Sequence, residues 1–218
     1  MKYFILILIT LLMSCKEPGS GRKKIDGQNA SATNTQPVAE CDYGSRKEQC
    51  KKLLAAFNQA PSKNKSNRLT SFFTDSLLQC WYGTPWDFNG CTTAPQQGKI
   101  ACGYFITTTL QDAGVAINRI KMAQCPSSKL IQTVCLEIKT YSNKPIEYFI
   151  NEIKKSGYGL YLAGLDFHTC FIYNDGQDVY FIHASYYATK CVVKEKAIDC
   201  AVLQNSKLRI TGKVNFNK

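Results

Sequence analysis

Histidine is nearly missing from this chain. His168 and His183 are the only two in 218 residues, so any imidazole chemistry must pass through them. Cysteine is plentiful, with 11 residues, but no two form a Cys-x-x-Cys pair. That spacing marks most structural zinc sites, so neither a metal nor another cofactor is expected. Long apolar runs are missing after the first residues, which leaves no later segment able to cross a bilayer. Acidic residues are outnumbered, 16 against 27 Lys and Arg, for a net charge of +11. No internal repeat is visible.

The opening residues set the compartment. Met1-Lys2-Tyr3 is a short basic start, and residues 4–13 are apolar over a length that suits a secretory leader and is too short to span a membrane. Leu11-Leu12-Met13-Ser14-Cys15 then resembles the lipobox of bacterial lipoproteins, which implies cleavage after residue 14 and lipidation of Cys15. Residues 15–40 are rich in Gly, Ser, Asn, Thr and Gln and read as a flexible tether. Residues 41–218 are the size of one domain, with helices expected over 41–79 and a core over 80–218. Without the leader the balance is 26 basic to 16 acidic residues, net +10. Outside the cytoplasm such a surface favours anionic envelope polymers or acidic peptides over nucleic acid. The expected location is the bacterial cell envelope, anchored to its membrane through the N-terminal lipid.

An oxidising compartment makes disulfides the natural use of most cysteines. With Cys15 and Cys102 set aside, local spacing suggests 41–50, 80–91, 125–135 and 191–200, leaving Cys170 unpaired. Residues 45–60 read as an amphipathic helix ended by Pro61, 61–67 as a polar loop and 68–78 as a more buried helix. Residues 80–98 are irregular, with Trp81, Tyr82, Trp86 and Phe88 crowded among Gly, Pro and Asn-Gly turns. That many aromatics in a loop suit either a cleft wall or a cap on the core. Residues 103–113 read as a helix opened by Cys102 and closed by Gly114. Free backbone N–H groups and the helix dipole at such a junction favour a thiolate, and Cys102 is the candidate nucleophile. A short extended piece over 115–120, a helix over 127–135, a strand over 136–141 and a helix over 145–155 follow.

Residues 159–164 and 166–173 read as strands. Asn174-Asp175-Gly176-Gln177 then forms a hairpin turn, and 178–184 return. Further strands are expected over 190–193 and 207–214. With Asp175-Gly176 as a two-residue turn, Tyr173 pairs with Asp178 and Ile172 with Val179. Continuing the ladder, Cys170 faces Phe181 and His168 faces His183. The two imidazoles then share one face of the sheet, close enough to interact, and Cys170 is a buried strand thiol. A cysteine nucleophile needs a ring nitrogen to take its proton, and that ring needs an orienting partner. His168 and His183 supply both.

These motifs, in this order, resemble the NlpC/P60 family of papain-like cysteine peptidases. The resemblance rests on Gly83-Thr84-Pro85-Trp86-Asp87-Phe88-Asn89-Gly90, on Ala101-Cys102-Gly103-Tyr104, on His168-Thr169-Cys170-Phe171-Ile172-Tyr173 and on Phe181-Ile182-His183-Ala184. It implies an α+β fold, with an antiparallel sheet packed against the helix that carries the nucleophile and extra helices before it. It further implies a cysteine hydrolase in which Cys102 attacks, His168 is the base and His183 orients it. Tyr82, Trp86, Asp87 and Tyr104 are then the substrate-binding candidates. The second oxyanion donor would lie near Tyr82 or Trp86. Family members mostly cleave amide bonds in peptidoglycan stem peptides. Ala101 and Gly103 replace the usual Asp and Ser beside the nucleophile, and Trp86 replaces a Tyr. Those departures keep open an inactive binding or inhibitory module, and a thioesterase or acyltransferase using the same Cys and His is a third reading.

Overall fold

A computed structural model describes residues 41–217, all within one compact unit, Ala39–Lys218. The expected leader, the expected lipidation site Cys15 and the expected tether lie outside the described residues. The first helix starts from Asp42, whose carboxylate accepts the Ser45 N–H at 2.9 Å and caps α1 (Tyr43–Gln59). Ser62 caps α2 (Lys63–Phe72) in the same way, through the Lys65 N–H. The stretch read as a polar loop is therefore the first turns of a helix. Its exposed residues carry no apolar periodicity, and the cap is the only local signal. The chain runs on from α2 through a π-helical turn, Phe73–Leu77, and a 3-10 turn, Leu78–Trp81. Changing the winding lets Phe73, Leu77, Leu78 and Trp81 all be fully buried.

A disulfide joins Cys41 to Cys80, at the two ends of this helical run. It replaces the pairings 41–50 and 80–91. About two turns of α1 separate Cys41 from Cys50, roughly 12 Å of rise against a Cα limit near 7 Å for a disulfide. Cys50, Cys91, Cys125, Cys191 and Cys200 are thiols, so the pairings 125–135 and 191–200 do not form either.

The remaining helices are α3 (Cys102–Asp112), α4 (Arg119–Ala123), α5 (Ser127–Val134), α6 (Ile146–Lys155) and α7 (Ala201–Asn205). Between and after them lie β1 (Cys135–Ser142), β2 (Gly159–Gly164), β3 (Thr169–Asn174), β4 (Val179–Ala184), β5 (Val192–Lys196) and β6 (Leu208–Val214). The strands form one six-stranded sheet in the order β1-β6-β2-β3-β4-β5, and every pairing is antiparallel. The chain is thus α+β. The piece over 115–120 is not extended throughout, because Asn118 accepts the Lys121 N–H and starts α4.

The central strands are apolar on both faces because helices cover both. Leu160, Leu162, Phe171, Tyr173 and Ile182 join the core with Phe105 and Ile106 of α3 and Ile131 of α5. Alternate residues, Tyr161, Cys170, Ile172 and Phe181, pack with Phe149 and Ile153 of α6 and Leu203 of α7. Period-two alternation therefore divides one sheet between two cores. β3 begins at Thr169 rather than 166. The Asp166 carboxylate accepts the Lys207 and Leu208 N–H groups and holds residues 165–168 in a turn, closed by Leu165 N–H to the His168 carbonyl at 2.8 Å. Among the described residues no helix is long and apolar enough to cross a membrane.

A non-reducing peptide map should link Cys41 to Cys80 and leave Cys50 free. Replacing both partners by Ser should lower unfolding stability by about 2–4 kcal/mol, the usual loss for a loop of this length, as measured by denaturant titration.

Candidate active site

The hairpin that carries the histidines closes through four residues, not two. Asn174 pairs with Val179 and Tyr173 with Tyr180. Asp175 sets this turn. Its carboxylate accepts the Gln177 and Asp178 N–H groups at 2.8 and 2.7 Å, and its own N–H donates to the Asp178 carbonyl. The expected pairs, His168 with His183 and Cys170 with Phe181, are displaced by two positions. A shift of two keeps every side chain on its face, so the histidines meet diagonally. Their rings lie 5.0 Å apart at 84°, with His168 Nε2 at 2.8 Å from His183 Nδ1.

A third group continues the line. His183 Nε2 lies 2.9 Å from Glu195 Oε1, on the neighbouring strand β5. The His183 bond lowers the Glu195 pKa first, with smaller help from the Cys200 thiol and the His183 charge. An ionised carboxylate can only accept, so His183 Nε2 carries hydrogen and His183 Nδ1 carries a lone pair. His168 Nε2 must then donate to it, leaving a lone pair on His168 Nδ1. That nitrogen is buried and has no hydrogen-bond partner among the described residues. Burial, and then the neighbouring His183, holds the His168 pKa well below the usual imidazole range. Burial also lowers the pKa of His183, against the pull of Glu195.

Cys102 is the first residue of α3, preceded by extended Ala101 with no side-chain cap. Backbone N–H groups of Thr169, Gly103 and Cys102 itself stabilise the sulfur as an anion, but burial outweighs them and raises the thiol pKa. The backbone amides act in the expected direction, toward a thiolate, and burial overrides them. Removing an anion from water costs more here than three amides return, so burial favours the neutral thiol of Cys102 as it favours the neutral ring of His168. Gly103 has its own reason to be glycine. A Cβ there would lie 2.4 Å from the Ala123 carbonyl oxygen, where α4 ends against α3.

The aromatic loop is fastened at several points. Gly83 N–H donates to the Val192 carbonyl and Trp86 N–H to the Lys190 carbonyl, both at 2.8 Å. Ile100 N–H donates to the Pro85 carbonyl at 2.9 Å. Arg119 donates to the Cys91 and Thr92 carbonyls and to Thr108 Oγ1, while its guanidinium lies 4.7 Å from the centre of the Tyr104 ring. Cys102 and His168 together line a cavity of about 810 Å³, walled by Trp86, Phe88, Tyr104, Phe167 and Tyr186. They also share a second recess of about 270 Å³ against α4 and α5. Phe167 and His168 also border a third, of about 760 Å³, which reaches Lys207 and Leu208.

Cys102, His168, Trp86 and Tyr104 thus border one cleft, with His183 behind His168. Tyr82 does not join them. It lines a separate cavity with Tyr180 and β5, and its hydroxyl is buried without a partner among the described residues. Asp87 is not among the cleft-lining residues, and pairs with Lys99 at 3.1 Å. The Trp86 and Tyr82 main-chain N–H groups already donate to the Lys190 and Gln79 carbonyls, so these two amides are not free to meet an oxyanion. Two residues of the site escaped the sequence reading. Glu195 falls beyond the expected end of its strand, although alternation from Val193 points it to the His183 face. Tyr186, whose ring stands 5.3 Å from His168 and 6.1 Å from Trp86, had only its position after the His183 strand as a signal. Comparison with known protein families, with curated proteins and with solved structures finds no match.

Two outcomes follow from the surroundings of Cys102. Gly103→Ser should destabilise the domain by about 1–3 kcal/mol, the range for overfilling a packed site, read as a lower denaturation midpoint. Carboxamidomethylation of Cys102 should increase with pH through a midpoint above the ~8.5 of an ordinary thiol, because the raised pKa keeps it protonated at neutrality. A midpoint below that value would contradict the dominance of burial.

Proposed function

We infer that the chain is a cell-envelope cysteine hydrolase of the NlpC/P60 type, on a papain-like fold, that cleaves amide bonds in peptidoglycan stem peptides. The observation that carries this reading is the unpartnered, buried Nδ1 of His168 on a ring that shares a cleft with Cys102. Its other nitrogen is fixed by His183 and, through it, by Glu195. A nucleophile on the first turn of a helix packed against an antiparallel sheet supports the fold, as does the chain order of Cys102, His168 and His183. The lipobox-like start and the basic charge support an envelope substrate.

In this reading the peptide carbonyl lies over the first turn of α3. The Cys102 thiol proton passes to His168 Nδ1 as the sulfur attacks the carbonyl carbon. The imidazolium so formed donates from Nε2 to His183 Nδ1, and the Glu195 carboxylate compensates its charge through the second ring. The oxyanion is met by first-turn N–H groups of α3. His168 then returns the proton to the leaving amine, and water releases the acyl group from Cys102. Burial that keeps both partners neutral at rest also excludes water from the ion pair as it forms.

Purified peptidoglycan incubated with the protein should gain new amine ends. Cys102→Ala should abolish them, and His168→Ala should slow their release by about 10²–10⁴, the usual worth of a general base. Glu195→Gln should slow release by roughly tenfold or more, as loss of an orienting outer partner does, because an amide can donate to His183 Nε2 and reverse the tautomers. Equal release by wild type and Cys102→Ala would remove Cys102 from the mechanism.

A further inference from the structure

The sheet assembles a donor set that no sequence spacing shows. His183 Nε2 from β4, a carboxylate oxygen of Glu195 from β5 and Cys200 Sγ from the residue before α7 all lie within 4.8 Å of one another. His183 and Cys200 are buried, and the Glu195 side chain is 38% exposed. In a tetrahedral zinc site, bonds of about 2.0–2.3 Å place donor atoms roughly 3.3–3.8 Å apart, so no pair in this cluster need close by more than about 1.5 Å to make one. One imidazole, one carboxylate and one thiolate neutralise a divalent ion and leave a fourth position for water beside exposed Glu195. The outer partner that a metal-bound histidine requires is also in place, since His183 Nδ1 stands 2.8 Å from His168 Nε2.

We propose that His183, Glu195 and Cys200 form a zinc-binding site that switches off the His168 base. The part of the proposal concerning the base rests on the hydrolase reading; the metal site does not. In the metal-free protein His183 Nε2 and His168 Nε2 both carry hydrogen, and Cys200 is a thiol. Zinc takes the lone pair of His183 Nε2 and the Cys200 thiolate. His183 then carries its hydrogen on Nδ1 and donates to His168 Nε2, which has become the acceptor. His168 carries its hydrogen on Nδ1, its otherwise unpartnered nitrogen, and has no lone pair there for the Cys102 proton. Three hydrogens become two, and the third, equal to the Cys200 thiol proton, is released to solvent. No electron is transferred, and no bond changes except those to the metal and these protons. The sequence argument against a metal rested on cysteine spacing, and this set draws its ligands from three separate elements.

The test is a titration of the metal-free full-length chain with Zn²⁺, followed by long-range ¹H–¹⁵N correlation of the imidazole nitrogens. Only two histidines contribute signals. The first equivalent should shift His183 Nε2 and move the His168 hydrogen from Nε2 to Nδ1. Cys200→Ser should weaken zinc binding by about tenfold or more, as loss of a ligand does. Glu195→Gln, a near-isosteric change at a side chain 38% exposed, should do the same if the serine variant fails to fold. Unchanged ring nitrogens after one equivalent, or full binding in both variants, would overturn the proposal. The readout is tautomeric state rather than turnover, so failure to cleave peptidoglycan would count only against the hydrolase reading.

Discussion

One carboxylate decides where the hydrogens of this site lie. Glu195 can only accept, and each imidazole has one nitrogen to give and one to receive. Once Glu195 is ionised, every hydrogen along Glu195, His183 and His168 has a single position, and the lone pair emerges at His168 Nδ1. The line works because β3, β4 and β5 are neighbours in register and the sheet buries both rings. Surrounding water would scramble the tautomers. Burial removes that competition and also depresses the basicity of both rings, so the site combines well-defined geometry with reluctant ionisation.

The two cores of the sheet explain how so small a domain holds that arrangement. Odd and even residues of the central strands pack against different helices, so neither face is left to slip. Cys170 illustrates the constraint. It precedes Phe171, the partner of Ile182 in the ladder, and is fully buried, with its sulfur against the Ala163 carbonyl. A larger side chain there would press on the layer that positions the rings.

Much of this was legible in the residues. The apolar run after Cys102, the Pro145 and Gly157 punctuation and the Asp175-Gly176 turn gave α3, α6 and the β3–β4 hairpin, with the histidines on a common face. The rest depended on interactions that local pattern does not encode. The Asp175-Gly176 pair pointed to a two-residue turn, whereas the Asp175 side-chain bonds hold a four-residue one. Asp166 shortens β3 by reaching residues 207 and 208, about forty positions away in sequence. Disulfide choice followed distance in space, not in sequence. Glu195 stood between two lysines, where a solvated strand end was the ordinary expectation.

The fastened aromatic loop has a consequence for recognition. Its backbone is tied to the start of β5 and to the start of α3, and Arg119 joins its far end to the same helix. Such a wall loses its conformational freedom when the chain folds, so little remains to be lost when a ligand arrives. Discrimination at this cleft therefore falls to shape: a ligand must match a surface of Trp86, Tyr104 and Tyr186 that is set before the encounter, and a mismatched one finds no pliable loop to remould around it.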